Sequence, residues 1–222
     1  KVILSSTGLE HPAIVALSEV ENREVLELLT KRTALKSVDY KIIHKESPDH
    51  RGIDVAILYD SNQFYPLLYK HYPLLNKEGV VEATREILYV SGITNVQDTI
   101  HLFVNHWPSR YSGLLETRTK RNSAAKLLRQ KVDDLFERYT SPKIIIVGDF
   151  NDQPADESML KFLKANEVSE KLLNTELYNL SFNWSNEKNG TLKYQMQWSV
   201  FDQIIISGIL LKSTKGMGAK PE

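Results

Sequence analysis

Apolar residues fall along the chain in two kinds of pattern. Short, nearly continuous apolar runs predict strands, and recurrence at every third or fourth position predicts helices. Residues 12–18 form such a strand run, bounded by Pro12. Residues 21–32 follow helical spacing, with Val25, Leu28 and Leu29 on one face. Residues 40–45 and 53–59 read as two strands around a Pro-Asp-Gly turn at 47–52, which predicts a hairpin. A second strand pair is predicted at 86–91 and 99–105. The longest helical pattern covers 116–139, with Ala124, Leu128, Val132, Leu135 and Tyr139 in one stripe. The β-branched run 143–147 predicts a strand covered on both faces. A short helix at 156–164 and a strand at 203–207 complete the regular elements, and residues 213–222 read as irregular. Residues 62–76, rich in Tyr and Pro, read as a loop that either approaches a substrate or packs on its own domain.

Neighbouring strands are joined by hairpin-length connections, so a mixed α/β architecture is favoured over a pure βαβ winding. No repeat, linker or composition shift divides the chain, which predicts a single domain over residues 1–222.

Composition narrows the chemistry. Hydrophobic residues make up 41% and charged residues 25% of 222 positions, as in ordinary folded proteins. Lys plus Arg and Asp plus Glu both number 28, so bulk charge advertises no polyanion. With 0 cysteines, disulfides, thiolate zinc sites and cysteine nucleophiles are excluded. No apolar run approaches the ~20 residues that span a bilayer. No signal peptide is visible, but a mature exported chain would look the same, so a cytoplasmic and an exported location both stay open. The glycine-rich nucleotide loops, the Gly-x-Ser-x-Gly elbow and the His-Glu-x-x-His zinc motif are absent.

Four polar groups follow or begin predicted strands. Asp149 and Asn151 come after the 143–147 run and Gly148. A carboxylate and an amide two positions apart suit a hard metal, or a water held beside a phosphate. The same residues also serve as turn formers and caps. His106 ends another strand, with Ser109 and Arg110 close by. It reads as a proton donor to a phosphoryl oxygen, or as a loop histidine packed by Trp107. Glu19 reads as a helix-start acid or a metal ligand. Asp202 reads as a strand-edge acid, or one that orients a histidine. Arg110, Arg118, Lys120, Arg121, Lys126, Arg129 and Lys131 offer positive charge to phosphates, a spacing equally typical of a solvated helix face.

Taken together, Glu19, Asn105-His106-Trp107-Pro108, Gly148-Asp149-Phe150-Asn151 and Phe201-Asp202-Gln203 resemble the endonuclease/exonuclease/phosphatase family. That family includes pancreatic deoxyribonuclease, apurinic-site endonucleases, inositol polyphosphate 5-phosphatases and sphingomyelinases. Residues 17–23, 51–59 and 105–110 look most like a bacterial subgroup. The resemblance implies a four-layered αββα sandwich, with two mixed β-sheets face to face and helices outside. It implies hydrolysis of a phosphoester, with nucleic acid one candidate substrate and Mg²⁺ or Mn²⁺ at the site. Carried over by position, Glu19 matches the metal-binding glutamate and Asp149 the acid that orients or deprotonates the attacking water. Asn151 matches the asparagine that holds a phosphate oxygen, and His106 the histidine beside the non-bridging oxygens. Asp54 is placed where an acid supports that histidine, and Asp202 matches the acid that orients a C-terminal histidine. The family's opening Asn-bearing strand and its closing Ser-Asp-His segment have no counterpart here. The chain is therefore expected to be a piece of a longer protein, since a sheet lacking central strands exposes edges and apolar faces. The alternative is a catalytically impaired binding module on the same fold.

Overall fold

The protein is described by a computed structural model covering residues 2–5, 10–111, 113–184, 189–213 and 217–219. Much of the closing stretch expected to be irregular lies outside these residues.

A single helical turn, α1 (Val2–Ser5), precedes β1 (Ile14–Val20). Helix α2 (Arg23–Arg32) is started by Asn22, whose side chain accepts the Val25 N–H at 2.9 Å. Its buried face is not the expected one. Leu26 and Thr30 are buried, whereas Val25 and Leu28 are 41% and 51% exposed. The wall that receives the helix decides this: Leu26 packs with Val20, Leu35, Tyr40, Ala56 and Leu58. Strands β2 (Lys41–His44) and β3 (Asp54–Tyr59) form the predicted hairpin, and β1 pairs with the other side of β3. The result is a three-stranded antiparallel sheet in the order β1-β3-β2.

The larger sheet begins with β4 (Phe64–Tyr72), where a loop was expected. Pro66 lacks a donor N–H, yet β4 is an edge strand with a register shift between Pro66 and Leu68, where proline is tolerated. Strands β5 (Ile87–Thr94) and β6 (Thr99–His106) form the second predicted hairpin. Helix α3 (Leu114–Arg138) crosses back to β7 (Lys143–Asp149), which pairs parallel to β6. A wide helical turn over Ser158–Leu163 stands where the short helix was predicted. Beyond it come β8 (Ala165–Glu167), β9 (Leu177–Asn179), the small hairpin β10 (Leu192–Tyr194) and β11 (Gln197–Ser199), then β12 (Asp202–Ser207) and α4 (Gly208–Lys212). The strand order β4-β5-β6-β7-β12-β9-β8 gives a seven-stranded mixed sheet.

Three apolar layers bind these parts into an αββα sandwich. One lies between α2 and the small sheet, centred on Leu26 and Leu58. The second lies between the sheets, where Ile43 and Ile57 meet Val90 and Leu102. In the third, Ala124, Leu128, Val132 and Leu135 of α3 press on Phe103, Ile144 and Ile146. The expected α3 stripe is thus buried up to Leu135, while Tyr139 is 44% exposed and lies against the His101 ring.

Strand β7 departs from expectation on one face. Ile144 and Ile146 are buried, but Ile145 and Val147 are only partly covered. Together with Ile14, Ala16 and Ile204 they line a groove between the sheets, of about 830 Å³. Among the described residues, β1 is paired on one side only, and its other edge borders that groove.

Buried His101 couples this fold to pH. Burial lowers its pKa to about 4, and Nδ1 shares a 2.7 Å hydrogen bond with the Tyr89 hydroxyl. Below the ordinary value of 6.5 the unfolded chain takes up a proton that the folded chain refuses, so stability falls as pH drops from 6.5 toward 4. His101→Gln is expected to lessen the stability lost between pH 7 and pH 5 by about 2 kcal/mol. Urea unfolding of both proteins at the two pH values checks this.

Candidate active site

The parallel pairing of β6 with β7 sets the geometry. Its register places Asn105 beside Gly148 and His106 beside Asp149. The strands come so close that a Cβ on Gly148 would lie 1.9 Å from the Asn105 carbonyl oxygen, and φ at Gly148 is +134°. Only glycine fits both conditions. On the other side, β12 sets Asp202 opposite Asp149. Glu19 sits at a bulge in β1, between Leu17 and Val20, with φ +59°. It is exposed, and its charge reaches Asp149.

The structure therefore gathers Glu19, His106, Asp149, Asn151 and Asp202 at one end of the sandwich. The Asp149 carboxyl is pushed up to about 6, first by burial and then by the negative charges of Asp202 and Glu19. The Asn151 N–H donates to Asp149 Oδ1 at 2.8 Å and opposes that rise. His106 Nε2 lies 3.7 Å from Asp149 Oδ2. Its side chain is 2% exposed, so it stands behind Asp149 rather than at the mouth. Burial and the neighbouring Arg85 and Arg51 depress its pKa to about 3, which makes it a neutral imidazole at pH 7. Nδ1 of His106 is buried and has no hydrogen-bond partner.

Asn151 has φ +50° and donates from Nδ2 to the Trp107 carbonyl at 3.0 Å. The same carbonyl accepts from Arg85 Nη2 at 2.6 Å, while Arg85 Nη1 holds Asp49 Oδ2 at 2.8 Å. Trp107 is itself fixed, edge-on to Phe150 with ring centres 4.8 Å apart and with Nε1 donating to Asn105 Oδ1. Arg85, Asp49 and Arg51 thus belong to the surroundings of His106, and sequence reasoning singled out none of the three. Their signal was faint: Arg85-Glu86 before an apolar strand, and Asp49 in a turn.

Asp54 is placed differently from expectation. Its Oδ2 lies 3.1 Å from His44 Nε2 and its Oδ1 accepts the Ser47 N–H, so it faces His44 rather than His106. The basic stretch is largely occupied. Arg121 is fully buried against Asp152 at 2.7 Å, Arg110 bridges Asp152 and Asp156, and Arg129 pairs with Asp133.

Glu19, Asp149 and Asp202 offer only carboxylate oxygens, the donor type that a hard divalent cation prefers.

The chain belongs to the endonuclease/exonuclease/phosphatase family, whose model matches residues 1–219. Members are generally metal-dependent phosphoesterases and nucleases. The fold is similar to the human Nocturnin catalytic domain, solved with a bound sulfate anion, at 18% identity over 88% of this chain and 69% of that one, TM-score 0.64. It is also similar to D. rerio TDP2 complexed with a single-strand DNA product, at 15% identity over 89% and 71%, TM-score 0.56. A third likeness is to a family protein from Bacteroides thetaiotaomicron, at 17% identity over 88% and 69%, TM-score 0.59. A search of curated protein sequences returns no match.

The Gly148 contact gives a direct test of the strand pairing. Gly148→Ala is expected to cost at least about 2 kcal/mol, because both the left-handed backbone and the packing oppose a methyl group. Chemical denaturation reads the loss.

Proposed function

We propose that the chain hydrolyses a phosphodiester by in-line attack of water, with Glu19, His106, Asp149, Asn151 and Asp202 as its machinery. The observation that carries this reading is the register that aligns His106, Asp149 and Asp202 across three adjacent strands, with the charge of Glu19 bearing on Asp149.

Asp149 is placed to orient the water and take its proton as the new P–O bond forms. A carboxyl poised near 6 is a stronger base than an ordinary aspartate and is still ionised at pH 7. The leaving oxygen departs with the electrons of the broken bond. Asn151 spends one amide N–H on Trp107 and keeps the second for a phosphoryl oxygen. Neutral His106, with Nε2 3.7 Å from Asp149 Oδ2, would donate from that nitrogen to a phosphoryl oxygen brought between them. Glu19, with Asp149 and Asp202 alongside, would hold Mg²⁺ or Mn²⁺. When bound, that ion would offset the negative charge gathering on phosphorus. Asp202 would shape the same cation pocket. Asp54 acts on this centre only from a distance, through the segment that joins β2 to β3.

Among the described residues, Arg121 and Arg129 of α3 are committed to Asp152 and Asp133, and the formal net charge is 0. The substrate proposed is therefore a compact phosphodiester or a nucleic-acid end rather than long duplex.

Hydrolysis of bis(4-nitrophenyl) phosphate with Mg²⁺ or Mn²⁺ tests the roles. Asp149→Asn and His106→Ala are each expected to lower the rate at least about a hundredfold. Undiminished turnover in both would refute the assignment. Binding of the diester without turnover would mark the protein as a non-catalytic module. Glu19→Gln is expected to raise the Mg²⁺ concentration giving half-maximal rate by roughly tenfold or more.

A further inference from the structure

The connection between β2 and β3 carries a second set of ligand-type side chains. His44 ends β2 and Asp54 begins β3, and each side chain is 2% exposed. Nε2 and Oδ2 stand 3.1 Å apart, a usual separation for two ligands of one ion. Glu46, exposed at the rim, adds a third: one ligand atom from each of the three lies within 4.8 Å of the others. The Ser47 N–H at 2.8 Å fixes Asp54 Oδ1 and leaves Oδ2 directed at His44. A backbone donor behind a carboxylate is the arrangement that orients metal ligands.

The charges around the cluster point the same way. Lys45, next in the chain, is drawn off to Glu86, with contacts of 2.7 and 2.9 Å. His71 of β4 borders the cluster, within electrostatic range of His44 and Asp54. Its side chain is 9% exposed, and its Nε2 is buried without a hydrogen-bond partner.

We propose that His44, Glu46 and Asp54 form a divalent transition-metal site of the zinc class, separate from the cation expected at Glu19. An imidazole with two carboxylates suits Zn²⁺ better than Mg²⁺, which prefers oxygen alone. The ion would take the place of the direct contact between His44 Nε2 and Asp54 Oδ2, with the imidazole keeping its proton on Nδ1. Three protein ligands leave the exposed side, next to Glu46, for water. Such an ion ties together the two ends of the 45–53 segment, which carries Asp49 and Arg51 to the surroundings of His106.

Zn²⁺ titration by calorimetry on the Glu19→Gln chain tests this without involving hydrolysis. One binding event is expected to remain there, and adding Glu46→Gln or His44→Gln should weaken it at least about tenfold. Glu46 is exposed, so its replacement leaves the fold intact, which circular dichroism verifies. No Zn²⁺ binding by the Glu19→Gln chain, or unchanged affinity on adding Glu46→Gln, overturns the site. Either result is independent of whether the protein cleaves phosphodiesters.

Discussion

The close parallel pairing of β6 and β7 is the constraint on which the site rests. Because position 148 has no side chain, the Asn105 backbone can approach it, and the register then delivers His106 to Asp149. Antiparallel β12 completes the row by setting Asp202 beside Asp149. Ile144 and Ile146, clamped under α3, hold β7 rigid from behind. Precision at the polar end of these strands is thus a product of apolar packing at the other.

Burial and like charge then divide the polar groups into two electrical characters. Asp149 is made reluctant to ionise, while His106, crowded by guanidinium groups, is made reluctant to accept a proton. At pH 7 His106 is neutral while Asp149 stays ionised but easily protonated, and a cation or a phosphoryl group entering between them would change that balance. Arg85 is more than a source of field. By holding both the Trp107 carbonyl and Asp49, it joins the His106 loop to the β2–β3 connection. Asn151 shares the same carbonyl, so its amide and the Arg85 guanidinium are positioned by a single backbone oxygen.

Much of this was legible in the sequence, for physical reasons. Both hairpins and the α3 stripe announce themselves by period, and Gly148-Asp149-Phe150-Asn151 announces itself by the polar residues that end a β-branched run. What stayed hidden depends on partners distant in the chain. The buried face of α2 was misjudged because Val25 and Leu26 have equal local claims, and the small sheet decides between them. Strand β4 was missed because a proline is harmless at an edge, and edge status is a property of the whole sheet. The basic stretch of α3 resembled a phosphate-binding face because nothing local reveals that Asp152 meets Arg121 in the interior. The contact of Asp54 with His44 was equally invisible, although the hairpin that produces it was not.

Glu19 and Asn151 both hold the backbone in the left-handed region, at φ +59° and +50°. Residues with side chains adopt that conformation at a cost, and glycine does not. Thermal hardening without regard to chemistry would therefore drift both positions toward glycine, deleting a carboxylate and an amide together. At these two points, what the polypeptide would choose for endurance differs from what the proposed hydrolysis would require.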